Sequence, residues 1–174
     1  MSFGGAKAQL KTALQTVTWI IPASAAAITA PALLTAFGRV DTQQFAGEDA
    51  AVPASQFPYC RISIPELDEK RKTDGGDAIS QKAQIFPAHM FIYMAGYNKD
   101  WQGLADYFDA VIDATLAYFR NNSSPSPGIV SPGNNDHIVG WGLHQRARIE
   151  LAEQIDVAVN FRATVAVDLH MRIV

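Results

Sequence analysis

From Phe161 to Ile173 two sets of positions alternate without a break. Phe161, Ala163, Val165, Val167, Leu169, Met171 and Ile173 form an apolar set against Arg162, Thr164, Ala166, Asp168, His170 and Arg172. Period two over such a length predicts one long strand with a buried face and a polar face. At about 3.3 Å per residue it would span roughly 40 Å. That is more than one small core requires, so the sheet is expected to serve a neighbour as well.

Two further strands flank a charged segment. Tyr59–Ile64 places Cys60, Ile62 and Ile64 on one face and is ended by Pro65. Residues 66–82 carry Lys70, Arg71, Lys72, Asp74 and Asp77 around paired glycines and read as a charged hairpin arm. The return strand, Ile85–Ala95, has Phe86, Ala88, Met90, Ile92 and Met94 on one face, while Phe91 and Tyr93 make the other face apolar too. A strand apolar on both sides is central in a core or covered by a partner.

Helical spacing marks two segments. Leu10, Leu14, Val17 and Ile21 share one face of a predicted helix over Ala6–Ile21, stopped by Pro22. The interruptions at Gln15, Thr16 and Thr18 favour this amphipathic helix over a secretory leader. Over Trp101–Arg120, Trp101, Leu104, Ala105, Phe108, Val111, Ile112, Leu116 and Phe119 form a core-facing stripe, with Asp100 as the expected cap and Asp106, Asp109 and Asp113 outward. A short helix over Thr29–Gly38 fits the weakly patterned, alanine- and proline-rich stretch 23–57. Residues 121–142 read as a long Pro/Gly loop. In Gln145–Leu151, Ala147, Ile149 and Leu151 are expected inward and Arg146, Arg148 and Glu150 outward. The predicted fold is α+β in a single domain, 1–174. It has a mainly antiparallel sheet of about four strands, helices packed on one face, and the order α-β-β-α-β-β. No internal repeat is visible.

Composition changes this picture in one respect. Charged residues make up 18% of the chain, below the globular average of about 25%, as expected where assembly hides surface. The net charge of −3 gives no general attraction to nucleic acid or membranes. The longest apolar run is too short to span a bilayer. The single cysteine, Cys60, excludes an intramolecular disulfide.

The chemistry-bearing residues form no catalytic set. His89, His137, His144 and His170 lack metal-ligand spacing, and there is no glycine-rich phosphate loop or nucleophile elbow. No cofactor or metal is expected. The polar strand faces gather Arg61, Arg146, Arg148, Arg162 and Arg172 against Glu150 and Asp168. Cross-strand pairs would satisfy part of this set, and guanidinium forks suit a partner's carboxylates. DNA backbone and plain solvent are the other readings of the same arginines.

The opening helix, the hairpin with its charged arm, the Trp101–Phe119 helix and the closing run Phe161–Leu169 together resemble the tail terminator (tail completion) proteins of long-tailed bacteriophages. The resemblance covers most of the chain and is one of order and pattern, without a signature motif. It implies a virion protein with no catalytic residues, forming a six-membered ring that caps the tail tube and offers a docking face to the head connector. The implied partners are further copies of itself, the tail tube protein and the head-tail connector or head-closure protein, with DNA passing through the lumen unread. The assembly interface would draw on Lys70, Arg71, Lys72, Asp74, Asp77, Phe91, Tyr93, Arg146, Arg148, Arg162 and Arg172. The stretch 23–57 and the loop 121–142 depart from compact members of that family, and they leave a head-closure adaptor or a tube-like subunit as alternatives. From other classes stand a small α+β enzyme of thioesterase type, using His144, His170 or the aspartates, and a ligand-binding module using the Phe91–Tyr93 face.

Overall fold

A computed structural model describes residues 3–18, 35–42, 52–64, 68–71, 82–97, 101–121, 137–141, 146–155 and 158–172. Within these, helix α1 is Phe3–Leu14, followed by strands β1 (Arg39–Asp41), β2 (Tyr59–Ser63), β3 (Asp68–Arg71) and β4 (Lys82–Tyr97). Helix α2 (Trp101–Asn121) then leads to β5 (His137–Trp141), β6 (Arg146–Ile155) and β7 (Ala158–Arg172). The class is α+β. The expected strand count and the six-element order are replaced, and one of the six pairings among the described strands is parallel. Seven strands form one sheet, and β1 runs parallel to β2, which makes the sheet mixed.

The long alternating strand explains the architecture. Strand β7 pairs antiparallel with β4 from Ala83↔Arg172 to Tyr97↔Ala158, and every other strand hangs from this central ladder. On the far edge of β4, β2 lies opposite Tyr93–His89 and β3 opposite Ile85–Lys82. On the far edge of β7, β5 lies opposite Arg172–Leu169 and β6 opposite Ala166–Ala158. Each hairpin therefore has one unbroken arm and one arm split in two. In the first the split lies between Ser63 and Asp68.

Alternation along the central strands makes the core. Cys60, Ile62, Ala88, Met90, Ile92, Ala163, Val165, Val167 and Leu169 are all 2% exposed or less. They share one cluster with Leu10, Leu14 and Val17 of the α1 region and with Phe108, Val111, Ile112 and Leu116 of α2. Phe108 lies 5.3 Å from Phe161, ring centre to ring centre, and ties α2 to β7. Burial pushes the Cys60 thiol up, so it stays protonated as a small core residue. Thr115, inside the α2 stripe, is satisfied by donating its hydroxyl to the Val111 carbonyl at 2.8 Å.

Four local expectations are corrected. Helix α1 stops at Leu14, where Thr16 donates its hydroxyl to the Ala13 carbonyl at 2.7 Å and the next turn tightens to i→i+3 bonds. Residues 35–38 bend rather than continue a helix, and the chain enters β1 at Arg39. Gly38 is required there, because a Cβ would stand 2.7 Å from the Gln56 backbone. The last part of the expected loop, His137–Trp141, is a strand with a register shift at Gly140. In β6 a second shift follows Ile149, so Leu151 pairs with Arg162 and falls out of step with Ala147, which is itself exposed. The Asp100 cap, the end of the first predicted helix at Pro22, and Thr29 lie outside the described residues.

Candidate assembly surface

The positions between the core residues form the opposite face of the sheet. Both helices join the core side, and among the described residues no helix lies on this second face. Strand register arranges it in rows. Arg39, Tyr59, Tyr93 and Arg162 stand side by side across β1, β2, β4 and β7. Asp41, Arg61, Phe91, Thr164 and Arg148 make the next row, reaching β6. Ser63, His89, Ala166 and Arg146 make a third. Tyr59, Arg61, Phe91, Tyr93, Arg162 and Thr164 are half-buried, while Arg39 and Arg148 are exposed.

Within the rows, cations and rings interleave. The Arg39 guanidinium lies 5.8 Å from the Tyr59 ring centre, and Tyr59 stacks on Tyr93 at 5.8 Å with 26° between planes. Arg162 lies 5.7 Å from the Phe91 centre and 5.8 Å from that of Tyr93. His89 sits 6.3 Å from Phe91. Such contacts each contribute on the order of 0.5–1 kcal/mol at exposed sites. They restrain the Arg39 and Arg162 side chains against the rings.

One end of the surface is fixed more tightly. Arg39 pairs with the Asp41 carboxylate at 2.7 Å and donates to the Gln56 side-chain oxygen at 2.9 Å. Tyr59 donates its hydroxyl to Asp41 at 3.3 Å. Burial, and then the Asp41 carboxylate, raise the Tyr59 pKa above its ordinary value and keep the phenol neutral.

Of the residues proposed from sequence, Arg162 lies against both Phe91 and Tyr93, and Arg148 and Arg146 stand in neighbouring rows. Arg172 lies ten residues along β7 from Arg162, about 33 Å at strand rise. There it shares a row with Ala83 and Lys70, next to Arg71. The structure thus separates an arm-end group from the mid-sheet surface. Lys72, Asp74 and Asp77 lie outside the described residues. Sequence reasoning left Arg39, Asp41 and Tyr59 out of the site. Tyr59 was legible, because it alternates in phase with Arg61. Arg39 and Asp41 come from the unpatterned stretch and carried no signal.

Among the described residues no group of three or more His, Cys, Asp or Glu side chains could hold a metal ion, and His144, named for the enzyme alternative, lies outside them. A cavity of about 340 Å³ opens between the end of α1 and the end of α2, lined by Thr16, Val17, Thr18, Ala114, Ala117, Tyr118 and Asn121. That lining offers no carboxylate, imidazole, amine or thiol for acid–base work. No described helix is long and apolar enough to cross a membrane. Compared with protein-family models and with curated protein sequences, the chain matches none.

Proposed function

We propose that this chain is a structural virion protein whose copies form a ring, six in number, that caps a phage tail tube, ends its growth and receives the head connector. The observation that carries the reading is the second face of the sheet, where Phe91, Tyr93 and Tyr59 interleave with arginines and no described helix covers them. Apolar and aromatic surface of this kind, edged by fixed cations, is the composition of interfaces. The sheet also outruns its helices, since Ala147 is exposed although it pairs with the buried Val165. The resemblance in element pattern to tail terminators supplies the place in the virion.

The test is genetic and visual. Removing the protein from its phage should give tails of uncontrolled length that fail to join heads, seen by electron microscopy. Tails of normal length that still fail to join heads would move the protein to a head-side adaptor. Normal infectious particles would remove the reading.

A further inference from the structure

Two patches of opposite sign lie on opposite broad sides of the molecule. On the open sheet face, Arg39, Arg61, Arg148 and Arg162 outnumber Asp41 and Asp168 among the described charges. On the other side, α2 turns its apolar stripe to the sheet and carries Asp106, Asp109 and Asp113 on its outer surface, with Asp109 and Asp113 exposed and the exposed Arg120 about two turns further on. Burial, then the carboxylates of Asp113 and Asp106, raise the Asp109 pKa above the usual carboxylate range. A cation supplied from outside would relieve that repulsion.

The two patches repeat on a similar scale without matching position for position. The three aspartates rise about 4.5 and about 6 Å apart along the helix axis. The arginine rows on the sheet are two residues apart, about 6.6 Å along a strand. Arg39 and Arg162 lie beside aromatic rings, and an arginine guanidinium can meet a carboxylate in the forked geometry that makes such pairs strong. Because the two patches sit back to back, the aspartates of one copy cannot reach the sheet-face arginines of the same copy. We propose that the aspartate row of α2 in one copy docks on the arginine–aromatic sheet face of the next. This head-to-tail contact, which rests on the ring reading above, is the repeating interface of the ring. A heterologous contact of this kind closes into a ring when its rotation allows.

The experiment uses two charge-reversed proteins, Arg61→Glu/Arg148→Glu and Asp109→Lys/Asp113→Lys, with circular dichroism to establish folding and sedimentation to read assembly. Each alone would oppose like charges, so association should fall by at least about a hundredfold. An equal mixture restores opposite charges at both contacts and should recover the wild-type assembled mass. Wild-type association should also weaken between about 0.1 M and about 1 M salt, a measurement that needs no substitution. The proposal is overturned if either reversed protein assembles like wild type, if two folded variants stay monomeric when mixed, if salt has no effect, or if the wild type never associates. Should the wild type and both variants form the same rings, this interface falls while the tail-terminator reading stands. Should the mixture rescue assembly but tails keep normal length without the protein, the interface stands and the terminator reading falls.

Discussion

The two faces of the sheet are built from the same strands and differ by one residue of phase. Along β4, Ala88, Met90, Ile92 and Met94 are buried, while His89, Phe91 and Tyr93 between them are only half-buried. The covered face gains by excluding water, and any aliphatic side chains of the right volume would serve it. The open face holds groups that gain less from the fold itself: rings partly in water, and arginines lying against them. The comparison teaches that one strand carries two chemistries, a core face that specifies the fold and an open face that the proposed assembly would use.

Substitutions that separate the two faces sharpen this contrast. The largest effect should come from Ile112→Asp on the covered side, where the residue is 6% exposed within the core cluster. An unpaired carboxylate there should prevent folding, seen as insoluble protein or a lost thermal transition. Gly38→Ala should come next, with a loss of about 1–3 kcal/mol in denaturant unfolding. The added methyl meets backbone at 2.7 Å, and backbone cannot rotate away. On the open face, Phe91→Ala with Tyr93→Ala should lower monomer stability by only about 1–2 kcal/mol yet abolish assembly. Equal losses in both would mean that the open face belongs to the core.

Titration adds a smaller test. Burial pushes the Tyr107 phenol up to about 12 from its ordinary value of 10. The fold therefore favours the neutral phenol. Its contribution is fully present below pH 10 and is lost as pH rises toward 12, since the unfolded chain releases this proton first. Tyr107→Phe should flatten the stability curve in that window. The smallest effect is expected at Asp109→Asn. This change removes like-charge repulsion on α2 and should stabilise the monomer by about 0.2–0.5 kcal/mol at neutral pH. It should at the same time weaken assembly, so stability and association move in opposite directions.

What could be read in advance follows the strength of the local pattern. The α2 stripe and the alternation in β7 are long enough to outweigh any single residue, and Phe108, Ile112, Val165 and Val167 are buried as their phase requires. Strand β1 has three residues and takes its conformation from parallel pairing with β2, so nothing in Arg39–Asp41 announces it. Strand β5 hides behind Gly140, which marks a register shift but reads as a loop residue. The shift after Ile149 defeats strict alternation, because one extra residue reverses every later side. The site was legible where its residues sit in strong strands, as Phe91, Tyr93 and Arg162 do. It was not legible where a tertiary pairing brings Arg39 and Asp41 beside Tyr59.

The central claim is that the open face is an interface between copies, and sedimentation velocity of the purified wild-type chain over rising concentration tests it most directly. The account predicts growth from the 18.9 kDa monomer to one closed species near six times that mass, with no larger series beyond it. A single 18.9 kDa species at every concentration would contradict it.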